Sequence, residues 1–224
     1  MNVGRAISYV TEDPNWVRKI LIGGAIMLVS WIGMFLVVGI IGFFLLLGYA
    51  LEIVRRVYYG VDTPLPEWTD IGEYILSGLI LTGGILLWTM PFAALMAVGI
   101  TISALQSPAG GTVAALASFL LVPPLLIAVT VFVIPILIGR YAVKRQFTAM
   151  FDVREMLFEA KRAVVPSLIL AVVAFIASAV AQFGVVAFFI GVFVTTWYAC
   201  LVIAHLTGQV YREARRVDAL ATEF

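Results

Sequence analysis

An uncharged run in the middle of the chain decides its fold. Residues 74–139 read YILSGLILTGGILLWTMPFAALMAVGITISALQSPAGGTVAALASFLLVPPLLIAVTVFVIPILIG and contain no Lys, Arg, Asp or Glu. A helix that crosses the hydrocarbon core of a bilayer, about 30 Å thick, needs about 20 residues. The run is therefore long enough for two spans and a turn. The polar, Pro- and Gly-rich segment Gln106–Gly111 is the predicted turn.

Two more uncharged runs flank the first, over residues 20–51 and 163–211. A charge at the centre of a bilayer costs about 2.5 kcal/mol or more, which explains why charges avoid these runs. The chain is 63% hydrophobic and 12% charged, against roughly 25% charged in soluble proteins. The charged residues fall in four clusters: residues 1–19, 52–73, 140–162 and 212–224.

The run over residues 20–51 is too long for one straight span and too short for two full ones. Gly39–Gly42 is the predicted break. Two helices fit if Trp16–Lys19 and Glu52–Arg56 form their outer turns, with the basic side chains extending to the headgroups. The alternative is a re-entrant hairpin that does not reach the far side.

These patterns predict an all-α polytopic membrane bundle, a single transmembrane domain over residues 1–224 with about six spans. It is built as three helical hairpins, roughly 16–58, 71–145 and 153–212, the last with a break near Gln182. An even number of crossings separates successive charged clusters, so all 14 Lys and Arg residues face one side. By the positive-inside rule we expect a multi-pass protein of the cell membrane with cytoplasmic N- and C-termini.

Two segments beside the hairpins have amphipathic helical spacing and are predicted to lie on the inner headgroup layer. The alternative is that their apolar faces pack on the cytoplasmic ends of the protein itself. The apolar positions are Val3, Ala6, Ile7 and Val10 in one segment, and Val153, Met156, Leu157 and Ala160 in the other.

Residues that carry chemistry are scarce in the apolar runs, so no catalytic, cofactor-binding or metal-binding residues are predicted and no enzyme is expected. His205 is a weak candidate: it is either a hydrogen-bonding group at a helix end or a ligand of a haem or quinone. The single cysteine, Cys200, excludes an intramolecular disulfide and a multi-cysteine metal site. A net charge of +1 does not suggest a nucleic-acid partner.

Small residues form a stripe along the fifth predicted span. Helices associate in lipid over such residues, so the stripe is predicted to pack within the protein or against a second chain. Its members are Ser167, Ala171, Ala174, Ser178 and Ala181. Prolines in the spans bend helices, as in many transporters. They are Pro91, Pro123, Pro124 and Pro135.

The segment 60–73 is the least ordinary part of the chain. Pro64 and Pro66 favour an extended backbone, and Trp68 suits a membrane interface. Four acids are predicted to form a charge network with Arg55 and Arg56 across the cytoplasmic face. The acids are Asp62, Glu67, Asp70 and Glu73.

Motifs in the first 80 or so residues carry a resemblance. They include Asp13-Pro14 with Trp16, Lys19 and Leu21–Gly24, then Leu47-Gly48-Tyr49, Arg55-Arg56, Gly60 and Pro64-Leu65-Pro66-Glu67-Trp68. In these the chain resembles a family of uncharacterised polytopic membrane proteins of archaea and bacteria that carries a numbered domain-of-unknown-function label. The resemblance implies an architecture and no catalytic residues. Where it leads us to expect a proline break, the chain has Gly39 and Gly42.

The sequence therefore favours a non-enzymatic membrane protein, a structural, scaffold or accessory subunit. Its predicted partners are the lipid bilayer and either other membrane proteins or further copies of itself. The alternative is a transporter or channel for a lipidic or weakly polar solute, which the prolines within the spans suggest.

Overall fold

The computed structural model describes residues 1–61, 63–105, 108–186 and 190–221, and these contain helices and no strands. A 3₁₀ turn, Tyr9–Glu12, extends the first helix, and a π-helical turn, Val129–Val133, joins the fifth helix to the sixth. The helices are α1 Val3–Ser8, α2 Trp16–Ile32, α3 Val37–Tyr59, α4 Ile71–Leu105, α5 Pro108–Ala128, α6 Ile134–Lys144, α7 Val153–Arg162, α8 Val164–Gln182 and α9 Ile190–Ala221.

The length and apolar composition of the helices confirm the predicted fold class, an all-α polytopic membrane bundle. Within the described residues, five helices are long and apolar enough to cross a membrane. A sixth span is reached if Val3–Glu12 and Trp16–Ile32, which meet at a 100° bend, count as one. The protein is thus a polytopic helical membrane bundle.

The first hairpin turns at Gly33–Leu36, between α2 and α3, and not at Gly39–Gly42 as predicted. Gly39 and Gly42 lie inside α3. A Cβ on Gly39 would clash with the Gly33 carbonyl in the turn, and a Cβ on Gly42 would clash with the Ser30 side chain of α2. These glycines allow close helix approach and do not make the turn. With 17 residues, α2 is about 25 Å long, slightly short of the hydrocarbon core.

The second hairpin is much longer than the first. With 35 residues, α4 extends for about 52 Å, and the helix that returns beside it runs through α5, the π-helical turn and α6. Pro91, Pro123 and Pro124 are accommodated inside helices, and Pro135 lies in the first turn of α6. Of the predicted turn, Gln106 and Ser107 lie outside the described residues, while Pro108–Gly111 belong to α5.

The third hairpin contains the central helix of the bundle. A 3₁₀ turn, Phe183–Val186, follows α8 where a break was predicted near Gln182. After it, α9 packs against α1, α2, α3, α6 and α8. Trp197, Leu201, Leu206 and Tyr211 of this helix are almost completely buried. The hydrophobic core therefore surrounds α9.

The two amphipathic segments form α1 and α7. Ala6 and Val10 are fully buried while Ile7 is half exposed, so the first segment lays one face on the bundle. In α7, Met156 is fully buried and Leu157 is half exposed. The inward faces of both segments pack on the protein itself.

Candidate functional site at the charged end of the bundle

The four charged clusters meet at one end of the bundle. Each cluster makes an ion pair or hydrogen bond to another, which requires the ends of the hairpins to lie side by side. The joining contacts are Lys19 with Glu67, Arg145 with Glu52 (2.8 Å), Arg215 with Glu159 (3.2 Å) and Arg212 with the Tyr58 carbonyl (2.9 Å).

The loop Pro64–Trp68 is inserted into this end and held by its backbone. The Leu65 N–H donates to Asp13 Oδ2 at 2.8 Å, and the Leu65 carbonyl accepts from Lys19 Nζ at 2.8 Å. The Tyr49 hydroxyl donates to the Pro66 carbonyl at 2.8 Å. Leu65 itself is 1% exposed. Because its polar backbone groups have partners, the loop is buried without an unsatisfied peptide at Leu65.

Lys19 and Asp13 form a buried ion pair beneath this loop. Lys19 Nζ lies 2.9 Å from Asp13 Oδ2 and also contacts Glu67 and the Leu65 carbonyl, which gives each of its three N–H donors an acceptor. Asp13 Oδ1 accepts from the Asn15 N–H at 2.6 Å. An Asp-Pro pair is typical of an N-cap followed by the first helical residue, but α2 starts at Trp16 and not at Pro14. The carboxylate is used to join α2 to the loop.

The electrostatics of Asp13 follow from these contacts. Burial raises the pKa of Asp13, but hydrogen bonds from Lys19, Asn15 and Leu65, together with the positive charge of Lys19, more than offset this effect. The pKa of Asp13 is therefore below its usual value, and the group stays ionised. The three N–H donors of Lys19 are engaged by acceptors of the protein, so the pair holds the start of α2 to the loop.

Three aromatic rings pack together beside the loop and Lys19. Trp68 stacks on Tyr49 with ring centroids 4.0 Å apart, and its indole N–H donates to the Lys19 carbonyl at 3.3 Å. Trp197 lies 5.6 Å from Tyr49 and 5.9 Å from Trp68. Gly23 of α2 lies directly against the Trp197 indole, with no room for a Cβ. Trp197 was not predicted as part of this site, because nothing in an apolar run of sequence indicates which residues a given tryptophan contacts.

Other residues predicted in this region have separate positions. Trp16 is half buried at the start of α2, and Asp70 is exposed just before α4. Arg55 and Arg56 pair with Glu52, at 3.5 and 3.4 Å, and Arg56 also donates to the Pro64 carbonyl at 3.0 Å.

The predicted network of four acids with Arg55 and Arg56 is therefore wrong in its partners. Glu67 pairs with Lys19, and Glu73 lies 3.4 Å from Arg145. Asp62 lies outside the described residues. The loop is buried against α2, which turns Glu67 towards Lys19 and away from the arginines of α3.

A second charge cluster, centred on Arg140, fastens α7 to the bundle. Arg140 is 1% exposed, and its guanidinium contacts Glu159 at 3.0 Å, Glu155 at 2.9 Å and the Ala149 carbonyl at 2.8 Å. Arg215 of α9 reaches the other oxygen of Glu159 at 3.2 Å. The fork of Arg donors suits two carboxylates on successive turns of α7. The Asp152 side chain caps α7 by accepting from the Glu155 N–H at 3.3 Å.

His205 is almost fully buried, and its described contacts hold α1 on α9. Its Nδ1 lies 3.0 Å from Gln209 Nε2, so Nδ1 acts as acceptor, and its ring centroid lies 4.4 Å from that of Tyr9. Gln209 also bonds both backbone groups of Asn2, at 2.6 and 3.0 Å. A cavity of about 380 Å³ lies beside these residues and is also lined by Arg212.

The small-residue stripe lies on one face of α8, and this face is buried only in part. Ser167 and Ala181 are buried, Ala171 and Ala174 are half buried, and Ser178 is exposed. The Ala181 carbonyl accepts from the Thr195 hydroxyl at 2.7 Å, which ties the end of α8 to α9. The stripe thus faces α9 in part and the outside in part.

In the part of the chain that the structure describes, no group of three His, Cys, Asp or Glu residues comes together. A search of curated proteins and of solved structures finds no match to the chain. A family model, described as protein of unknown function (DUF4013), matches residues 31–196. The match begins after Asp13, Trp16 and Lys19 and includes the loop Pro64–Trp68. Since it covers well over half of the chain, this polytopic membrane protein belongs to the DUF4013 family of unknown function.

Proposed function

We propose that the protein is a non-enzymatic component of the cell membrane, a structural, scaffold or accessory subunit that packs against another integral membrane protein. Both termini are placed in the cytoplasm by the positive-inside rule, since all basic residues belong to the clusters that meet at one end of the bundle. One observation supports the packing role most: the outer half of the second hairpin exposes many large apolar side chains.

This outer half, residues 90–105 of α4 and 108–128 of α5, is called the arm. Nearer its start, α4 is well anchored: Gly48 of α3 lies against the Tyr74 backbone, and the Trp88 indole donates to the Met150 carbonyl at 2.9 Å. α5 packs mainly on α4, and Gly111 of α5 lies against the Ser103 backbone of α4. Large apolar side chains of the arm are exposed, among them Met90, Leu95, Val98, Leu105, Val113, Leu116, Phe119 and Leu120.

The length of the arm sets it apart from an ordinary membrane hairpin. A helix of about 52 Å fits a hydrocarbon core of about 30 Å only if it tilts by about 55°, whereas transmembrane helices tilt by about 20° on average and rarely beyond 40°. Without this tilt, part of the apolar surface of the arm lies outside the hydrocarbon core. A partner that packs along the arm covers that surface. Exposed Ala93 and Ala97, one turn apart on α4, offer a smooth surface for a second helix.

The charged end of the bundle also supports the packing role. Its buried cations, Lys19 and Arg140, are engaged by carboxylates and carbonyls of the protein itself. These pairs join the loop to α2 and α7 to α6. This end therefore acts as a rigid base that orients the arm.

Site-specific photocrosslinking in native membranes tests the packing role. A crosslinking amino acid at Leu95 or Leu116 of the arm should give one discrete protein adduct, identified by mass spectrometry and confirmed by purifying the partner reciprocally. The matched control is Val172, an exposed lipid-facing residue of α8. A homodimer adduct would identify a second copy as the partner; lipid adducts alone at both arm positions would contradict the proposal.

A second candidate function is transport of a lipidic or weakly polar solute. The π-helical turn Val129–Val133, placed between Pro124 and Pro135, favours it because such breaks in the hydrogen-bond ladder occur at functional sites. Reconstitution into vesicles with fluorescent phospholipids tests it. Movement of lipid between leaflets above the rate in empty vesicles would support transport over scaffolding.

A further inference from the structure

An apolar groove of about 290 Å³ runs between α8 and α9. Val173, Ala177 and Ala181 line one wall, and Thr195, Ala199 and Val202 line the other. Ile7 of α1 lies at one end, and Ala181 bonds to Thr195 at the other. We propose that this groove is a binding site for a single hydrocarbon chain, the acyl chain of a membrane lipid.

The chemistry of the lining excludes water as the occupant. Among the described lining residues, the polar side chains are Thr195 and Tyr198. The Thr195 hydroxyl is bonded to the Ala181 carbonyl at 2.7 Å, and the Tyr198 hydroxyl donates to the Ile7 carbonyl at 2.6 Å. A buried water needs two to four polar partners, which this groove does not offer. The site takes apolar matter.

The dimensions of the groove select a chain over a helix. From Val173 to Ala181 on α8 the rise is about 12 Å, and from Thr195 to Val202 on α9 it is about 10 Å. At one end the two walls touch, because the Thr195 hydroxyl donates to the Ala181 carbonyl at 2.7 Å. A helix at least 10 Å wide does not fit between walls this close, whereas a hydrocarbon chain, with carbon contacts near 4 Å, is narrow enough to enter.

The groove is open sideways, where lipid reaches it. Ile7, Ile176 and Val180, which line its opening, are 49%, 54% and 59% exposed. Both walls belong to helices long and apolar enough to span the membrane. A chain can therefore enter from the bilayer without crossing a polar surface. The site is independent of the arm, and so it goes beyond the proposed packing role.

The test uses the full-length protein in vesicles of phosphatidylethanolamine and phosphatidylglycerol. A small fraction of phosphatidylglycerol carries a photoactivatable diazirine on its acyl chain. After irradiation, peptides that contain residues 173–181 and 195–202 should be labelled about tenfold more than the α4 peptide with the exposed residues Leu79, Leu86 and Leu87, which precedes the arm, a preference of ~1.4 kcal/mol. A parallel sample with a diazirine fatty acid distinguishes a phospholipid from a free fatty acid as the source of the chain.

Filling the groove provides the specific control. Ala177→Phe should lower labelling of these peptides by about tenfold, because its ring occupies the volume of the chain. Ala179→Phe, on the exposed face of the same helix, should leave labelling unchanged. If Ala177→Phe does not fold, judged by size-exclusion chromatography, Ala177→Leu gives the same comparison. Equal labelling of the groove and of the α4 peptide before the arm, equal effects of the two variants, or a protein crosslink in place of lipid would overturn the proposal.

Discussion

The Lys19 ammonium lies 2.9 Å from Asp13 Oδ2, and both residues are nearly excluded from solvent. Both residues bond the backbone of Leu65, which lies 46 positions after Lys19 and 52 positions after Asp13. The pair therefore joins the start of α2 to the loop Pro64–Trp68. Residues of two separate segments thus form one structural unit at the charged end of the bundle.

Breaking the pair from one side should destabilise the protein strongly. Lys19→Met leaves Asp13 buried without its counter-charge, and the expected loss is about 3–5 kcal/mol. Thermal unfolding in mild detergent measures it. The double variant Asp13→Asn with Lys19→Met should lose less than the sum of the two single variants, since the two sites are coupled. Strict additivity would mean that the two side chains do not interact.

The lowered pKa of Asp13 predicts a pH window. A carboxyl whose folded pKa lies below its unfolded value stabilises the fold fully above the unfolded value, here 3.8, and loses that contribution as pH falls through the folded pKa. The stability difference between wild type and Asp13→Asn should thus stay constant from about pH 5 to 8 and shrink in stronger acid. A difference that shrank between pH 8 and 6 would contradict the assignment to Asp13.

Gly23 should resist substitution because the Trp197 indole lies on it. Gly23→Ala should destabilise the protein by about 1–3 kcal/mol through overpacking. Gly83 is the matched control, because a Cβ there meets nothing within 4 Å, so Gly83→Ala should be neutral or stabilising by up to ~1 kcal/mol. Equal effects of the two substitutions on the unfolding temperature would be evidence against close packing of α2 on α9.

Loss of Arg140 should release α7 from the bundle. Arg140→Gln removes the charge that holds Glu155 and Glu159, so α7 should separate from the bundle and unfold locally, which lets trypsin cleave after Lys161 and Arg162. Cleavage there should accelerate by about tenfold, which corresponds to ~1.4 kcal/mol of local stability. Arg55→Gln, which removes a half-exposed pair with Glu52, should leave the rate unchanged. An unchanged rate in both variants would mean that α7 is held by its apolar face alone.

Crowding should also weaken a partner contact at the arm. Ala97→Phe enlarges the smooth face of α4, whereas Val98→Phe changes a neighbouring flank that is already large. The first variant should lower the yield of the Leu116 photocrosslink several-fold and the second should not. Similar yields from both would remove Ala97 from the contact.

The helices and the charged end were predictable because a single energetic rule governs them. Charge is excluded from hydrocarbon, so the run 74–139 predicts two spans and the clusters predict one common end. That rule does not fix where a helix turns, and Gly39 and Gly42 misled because glycine serves close packing as well as turns. It also gives a minimum helix length only, so the length of α4 did not follow from it.

Tertiary contacts of single residues were less accessible. Arg140 stands at the edge of an apolar run and its sequence suggests an exposed headgroup contact, yet it is buried because α7 folds back over it with two carboxylates. Trp197 meets Gly23 and Trp68 from a distant hairpin, and a single sequence without contact information contains no signal for such a pairing.

The paired crossings are tested most directly by compartment-specific cysteine labelling in a Cys200→Ser background. Single cysteines at Ser8, Thr69 and Thr148, all exposed at the charged end or beside it, should react from the same side of sealed membrane vesicles. A cysteine at Leu105, the outer end of α4, should react from the opposite side only. Reaction of Leu105 from the same side as Thr69, or of Ser8 and Thr148 from opposite sides, would contradict the arrangement of three hairpins.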